Sequence, residues 1–381
     1  MVLRSVFILV LLLTVQFLFA QIRNPFNEEI LPFGKDIELI QEEGSFNHHK
    51  TTYGFVNHTK GKYALPFLTF VRDTTHAWLV VLNGGPGRSN IRLSFGIDSL
   101  LKKYNILLIG YRGVDDRALE GIINENDPKI QRFINKNRSK YSTEKIASDI
   151  ALIAEKLQIS SLNLIAHSYG TLVAGELYTQ EPQLVDSIFA FSPVDASRPM
   201  PDPEKVKFFV ASIFDSTTYE IDTFKDTLLN WLDDPSAESL AMGFVASMYN
   251  KKDFENMLKG VIRGDINRND VIQRGEKYLK KSYIVDLALK INYINKPVFS
   301  SESIYNQVTS IFHQQISRYL SSDSSHLGSQ NPFRRAPVSF FIPKYEFFYT
   351  YSMAGQQLQK CECGHADLWK LAPKFVLEIH E

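Results

Sequence analysis

Residues 161–170 read Ser-Leu-Asn-Leu-Ile-Ala-His-Ser-Tyr-Gly. An apolar run delivers a serine that has Ala166 two positions before it and Gly170 two positions after it. A hydroxyl becomes a nucleophile when the chain turns sharply from strand to helix and holds the serine out of the packing. Such a turn tolerates little bulk on either side. Gly170 meets that demand fully, and Ala166 adds a single methyl. The spacing predicts a short buried strand over Leu162–Ile165, Ser168 at the turn, and a helix over Thr171–Tyr178.

A second element points to the same chemistry. Residues 77–87 read Ala-Trp-Leu-Val-Val-Leu-Asn-Gly-Gly-Pro-Gly. An apolar strand ends there in a loop of glycine and proline, whose backbone can approach a substrate closely and adopt positive φ. Attack on a carbonyl generates an oxyanion that needs N–H donors. The expected donors are the amide after the nucleophile, Tyr169, and one from this loop, Gly85.

Serine also needs a base and an orienting acid. His365 follows Gly364 and a short strand near the C-terminus, and it satisfies the chain order serine, acid, histidine. Two carboxylates compete for the acid. Glu346 follows a predicted strand over Val338–Ile342, and Asp195 follows one over Val185–Phe191. Arg112, at the end of the strand predicted over residues 105–111, is expected to lock neighbouring loops, with Asp115 and Asp116 as near partners. This chemistry calls for no cofactor.

The elements that must position these groups read as a mostly parallel sheet with both faces covered by helices. Thr51–Asn57 and Tyr63–Val71 predict an antiparallel hairpin. Ser142–Leu157 repeats apolar residues with a helical period. Long helical patterns follow over Phe224–Leu232, Glu238–Tyr249 and Ile284–Ile294, and strand patterns are scarce there. The expected organisation is therefore a leader over 1–20, a core over 21–193, a helical cap over 194–335, and the rest of the core over 336–381. The final stretch predicts a strand over Leu358–Cys361 and a helix over Ala366–Ile379, perturbed by Pro373.

Composition excludes some partners. The chain has 42 basic and 42 acidic residues among 381, with no basic field for nucleic acid. The only two cysteines, Cys361 and Cys363, are two apart in a predicted strand. An extended strand holds such a pair too far apart for a standard disulfide, so structural thiols are expected. The pair supplies too few ligands for a metal. At the N-terminus, Arg4 precedes an apolar run over Val6–Val15, and Ala20 closes the segment as in an export signal.

Together, Asn83-Gly84-Gly85-Pro86-Gly87, Tyr111-Arg112-Gly113-Val114-Asp115, His167-Ser168-Tyr169-Gly170-Thr171 and Gly364-His365 give a family resemblance. The chain resembles the proline iminopeptidase and tripeptidyl aminopeptidase group of serine peptidases over about 60–192 and 336–381. The resemblance implies an α/β-hydrolase fold with a helical cap, and an exported aminopeptidase that releases residues from free N-termini. It implies Ser168 as nucleophile, His365 as base, and Gly85 and Tyr169 as oxyanion donors. It also implies carboxylates, mainly in the cap, that hold the substrate ammonium. The sequence departs from that group at Asn83, where His is usual, at Ala166, where Gly is usual, and at Glu346, where Asp is usual. Two alternatives stay open: an esterase or amidase for small uncharged acyl substrates, and a non-catalytic binding protein of the same fold.

The expected partner is thus a short peptide or small acyl compound, met by an exported, periplasmic or secreted protein without stable membrane insertion. The Val6–Val15 run is about 10 residues, half the ~20 that a typical spanning helix needs. N-terminal sequencing of the exported fraction should find a chain starting near Gln21. Full-length chain held in the membrane would contradict this.

Overall fold

The computed structural model describes residues 22–23, 30–31, 38–40, 50–58, 63–85, 90–91, 97–112, 114–115, 142–193, 237–277, 338–345 and 358–379. Two short strands, β1 (Ile22–Arg23) and β2 (Ile30–Leu31), pair antiparallel with each other. The other described strands form one sheet. In chain order they are β3 (Glu38–Ile40), β4 (Lys50–His58), β5 (Tyr63–Val71), β6 (Ala77–Leu82), β7 (Tyr104–Ile109), β8 (Leu162–His167), β9 (Val185–Phe191), β10 (Val338–Tyr345) and β11 (Leu358–Gly364). Their order across the sheet is β11-β10-β9-β8-β6-β7-β5-β4-β3. From β7 to β11 every pairing is parallel, and from β7 through β5 and β4 to β3 every pairing is antiparallel. The predicted hairpin is the β4–β5 pair, and, with β3 beyond it, the pair extends the sheet on one side.

Continuous apolar runs in the central strands serve two faces at once, because side chains alternate with period two. Val80, Leu82, Leu107, Ile109, Leu164, Ile188 and Phe340 lie in one buried cluster. Their chain neighbours Leu79, Val81, Ile106, Leu108, Ile165, Phe189 and Phe341 lie in the other. The first face is covered by α2 (Thr143–Lys156) and α3 (Tyr169–Gln180), through Ile146, Ile150, Ile153, Val173 and Leu177. Residues around α1 (Ile97–Leu100) and the terminal helix α6 (His365–Ile379) cover the second, through Leu100, Leu101, Leu368, Ala372 and Val376. Burial on both faces is what a parallel sheet requires.

Between β9 and β10 in sequence, most of the described residues are helical: α4 (Ala237–Met248), α5 (Lys251–Arg263) and a further run over 268–277. The Glu238–Tyr249 pattern falls on α4. The Phe224–Leu232 and Ile284–Ile294 patterns lie outside the described residues. Asn250 caps α5 by accepting a hydrogen bond from the Asp253 amide at 3.0 Å, and the helix buries Phe254, Met257, Leu258 and Val261. The Tyr249 carbonyl accepts a hydrogen bond from the Ala366 amide at 2.9 Å. That contact ties the helical segment to the first turn of α6 and satisfies one of its orphan donors.

The cysteines depart from expectation. Cys361 and Cys363 form a disulfide, with Cα atoms 5.3 Å apart. The reason is a register shift in the β10–β11 ladder: Pro343 pairs with Cys361, but Tyr345 pairs with Gly364. Three steps on β11 oppose two on β10, so the strand bulges and shortens where the cysteines stand. The bulge removes the regular extended geometry that would hold such a pair apart.

The approach of α3 to the sheet depends on Gly170. A Cβ there would stand 2.1 Å from the Leu82 carbonyl oxygen and 3.0 Å from that of Asn83. Both are backbone atoms and cannot swing away. Gly170→Ala should therefore push α3 off β6 and cost at least the ~1–3 kcal/mol typical of overpacking, read as a lower denaturation midpoint. An unchanged midpoint would mean that α3 sits farther from β6 than described.

Candidate active site

The parallel strands β6 and β8 are neighbours, and their C-terminal ends carry the two motifs into one place. Ser168 is the hinge between β8 and α3. Its φ is 52° and its ψ −118°, a conformation that costs a non-glycine residue about 1–3 kcal/mol. Three hydrogen bonds hold it. The Ser168 amide donates to the Phe191 carbonyl at 3.0 Å. The Ser168 carbonyl accepts from the Thr171 amide at 3.0 Å and from Thr171 Oγ1 at 2.6 Å. Strand β9 thus braces the turn from one side and α3 from the other. Ala166 is fully buried, and across the ladders it faces Leu82 and Ala190. The small Ala190 leaves room for the extra methyl.

The glycine loop packs on the serine. A Cβ at Gly84 would lie 2.9 Å from Ser168 Cβ and 3.0 Å from His167 Nδ1, so only glycine allows this approach. The Gly84 amide donates to Asn83 Oδ1 at 2.9 Å. Gly85 follows at φ 136°, a backbone conformation that residues with side chains rarely adopt. Pro86 and Gly87 lie outside the described residues. Tyr169 opens α3, so its amide belongs to the first turn, where helix N–H groups lack intrahelical partners.

A polar network that the sequence did not reveal supports the loop, and its centre is Asn90. This side chain is fully buried. Its Nδ2 donates to the carbonyls of Val81 and Ile109, both at 2.7 Å. Its Oδ1 accepts from the Asn83 amide at 2.7 Å. One carboxamide therefore joins the ends of β6 and β7 and fixes the residue before the glycines. Asp115 Oδ2 adds a second tie by accepting from the Asn90 amide at 3.1 Å and the Tyr111 amide at 2.7 Å. The Tyr111 hydroxyl donates to the Asn83 carbonyl at 2.9 Å, and its ring meets Tyr169 edge-on at 5.9 Å. Tyr169 Oη lies 3.2 Å from Thr143 Oγ1. Burial pushes both phenols well above their usual range, so they stay protonated and able to donate.

Arg112 has a partner other than the expected ones. Its Nε and Nη2 both bond to Asp149 on α2, the latter at 2.6 Å. Asp115 is occupied by backbone amides, and Asp116 lies outside the described residues. Burial raises the Asp149 carboxyl, and Arg112 opposes the rise. A planar fork on a planar carboxylate pins the loop after β7 to α2.

His365 is the first residue of α6, immediately after β11, at the same C-terminal rim of the sheet, with β10 and β9 between β11 and β8. Strand β10 runs to Tyr345, longer than predicted, so Glu346 directly follows its last residue. Glu346 and Asp195 both lie outside the described residues. Among the described residues, the structure thus brings Ser168, Tyr169 and the Gly84–Gly85 loop together. The signal missed in the sequence was Asn90, a lone amide in an irregular stretch after the glycines.

A strand–serine–helix turn at the C-terminal edge of a mostly parallel, helix-covered sheet defines a protein of the α/β-hydrolase class. The chain matches the family described as "alpha/beta hydrolase fold" over residues 77–323, more than half its length, and it belongs to that family. No curated protein matches it. Solved structures also match it, at low identity and with TM-scores below 0.5. A serine hydrolase from Cycloclasticus zankles is 15% identical, with 86% of this chain and 95% of that one covered and a TM-score of 0.42. An esterase from Exiguobacterium antarcticum is 14% identical, covering 84% and 96%, with a TM-score of 0.39. A proline iminopeptidase-related protein from Thermus thermophilus is 17% identical, covering 86% and 95%, with a TM-score of 0.40.

The Asn90 network makes a stability claim. Asn90→Ala would leave two buried carbonyls and one buried amide without these partners. Each such group costs about 1–3 kcal/mol, so the variant should lose at least ~2 kcal/mol in urea denaturation. A loss below ~0.5 kcal/mol would show that the carboxamide does not hold the strand ends.

Proposed function

We propose that this chain is a serine hydrolase that cleaves small carboxylic esters or amides through an acyl-enzyme on Ser168. One observation carries the proposal: Ser168 stands at positive φ on the β8–α3 turn with the glycine loop packed against its Cβ. Backbone strain of this kind persists where the surroundings over-determine it, and it marks functional turns.

In this reading His365 takes the proton as the Ser168 hydroxyl adds to the carbonyl carbon. The oxyanion is met by the amides of Tyr169 and Gly85. Gly85 is favoured over Gly84 because the Gly84 N–H is already bonded to Asn83 Oδ1. The tetrahedral adduct collapses, the leaving alcohol or amine departs with the proton from His365, and the acyl group stays on Ser168. Water then repeats the sequence and releases the acid. Glu346 orients the imidazole and stabilises its charged form, with Asp195 as the other candidate.

A second reading narrows the substrate to peptides with a free N-terminus. It is favoured by the sequence Gly84-Gly85-Pro86-Gly87, the most specific part of the resemblance to proline iminopeptidases. On the pattern of Arg4 followed by the Val6–Val15 apolar run, the enzyme is proposed to act outside the cytoplasm after removal of residues 1–20.

Short-chain p-nitrophenyl esters and aminoacyl anilides test the proposal. Ser168→Ala should lower kcat by at least about 10³-fold on whichever substrate is turned over, with an unchanged circular dichroism spectrum. Undiminished turnover would refute the acyl-enzyme. Aminoacyl anilides with a free and an acetylated amine separate the two readings. An ammonium trap should reject the acetylated twin, mostly in kcat/KM, because an anchor for the amine also positions the scissile carbonyl. Equal rates on both twins would leave the broader esterase or amidase.

A further inference from the structure

His167 precedes the serine and does not point into a solvent-filled site. It is 5% exposed, and its ring stacks on the indole of Trp369 with centroids 5.0 Å apart and planes 21° apart. Trp369 belongs to α6, one helical turn after His365. The same indole meets Phe191 edge-on at 6.2 Å and 67°. Phe191 stacks on Phe341 at 4.3 Å and 7°, and Phe375 of α6 packs against both rings. The aromatic group therefore joins the ends of β8 and β9 and the middle of β10 to α6. His167 also lies against the glycine loop, at the position where a Cβ on Gly84 would come within 3.0 Å of its Nδ1.

We propose that His167 and Trp369 are positioning residues. Their stacked rings set the distance between the serine turn and the first turn of α6, and so place His365. The inference rests on Ser168 and His365 being nucleophile and base. Two planar rings in near-parallel contact fix a separation as well as fill a volume, and a flexible aliphatic side chain does only the second. The first turn of α6 is then held from two directions. Tyr249 accepts its Ala366 amide, and His167 holds Trp369. The requirement is mechanical, since a misplacement of about 1 Å in a catalytic group can cost 10²-fold in rate.

The test compares Trp369→Leu with Trp369→Phe, and His167→Ala with His167→Phe, in the full chain. The first readout is inactivation by a fluorophosphonate ester, resolved into kinact and KI. The second is amide hydrogen exchange over residues 366–370. Trp369→Leu and His167→Ala should lower kinact about 10–100-fold with KI within about twofold. Exchange over 366–370 should rise about tenfold while α2 keeps its protection. The two phenylalanine variants should recover kinact to within about threefold, because they keep a flat ring in the stack. Normal kinact in Trp369→Leu, or no recovery with phenylalanine, would overturn the positioning role and leave the serine chemistry intact. If the unsubstituted protein is not inactivated at all, the serine chemistry fails, and with it the placement of His365 as base. Unchanged exchange in the variants would then deny the aromatic clasp as well.

Discussion

Everything around the site answers to one constraint, the backbone of Ser168 at φ 52° and ψ −118°. A serine gains nothing locally from that conformation, so its neighbours must impose it. Below the turn, Gly170 lets α3 approach to within contact of the β6 backbone. Beside it, the Phe191 carbonyl on β9 takes the Ser168 amide. Above it, Gly84 brings the loop against the serine Cβ. The two glycines answer opposite faces of the same problem: both sites are too close for a side chain.

The loop would not keep that position by itself. Glycine-rich segments lose more conformational freedom on ordering than other segments do. The buried Asn90 carboxamide meets this cost locally by spanning the ends of two parallel strands with one side chain. Asp115 then locks Asn90 and Tyr111 together, and the Tyr111 hydroxyl returns to Asn83. Buried networks of this sort are favourable only when their members are satisfied. Each polar atom named here has a partner, and several of these bonds cross between separate segments of the chain, so the network rigidifies the region rather than burdening it. Arg112 and Asp149 extend the same frame outward to α2.

The two motifs and most core strands were legible because their signals are local. Val185–Phe191 is a short run, mostly apolar, that follows a proline-containing turn, and the strand has the bounds this predicts. The serine turn carries its own small residues, and the hairpin carries its own pattern on both arms. Partners set by topology were not legible. Asp149 lies 37 residues from Arg112 in sequence, and nothing near Arg112 favours it over Asp115. Asn90 acts on Val81 and Ile109, which become neighbours only when β6 pairs with β7. The Cys361–Cys363 bridge depends on a bulge, which the pattern of β11 does not announce. Strand β10 outran its prediction by passing through Pro343 to Tyr345, next to that bulge. His167 and Trp369 come from distant parts of the chain and meet only in the folded sheet.

In the proposed reaction, the strained turn presents one reactive hydroxyl. Peptide mapping by mass spectrometry, after brief treatment of the native protein with one equivalent of a fluorophosphonate, tests it most directly. A single adduct is expected, on Ser168, and it should disappear when the protein is unfolded before treatment. An adduct confined to another residue, or equal labelling of folded and unfolded chain, would contradict it.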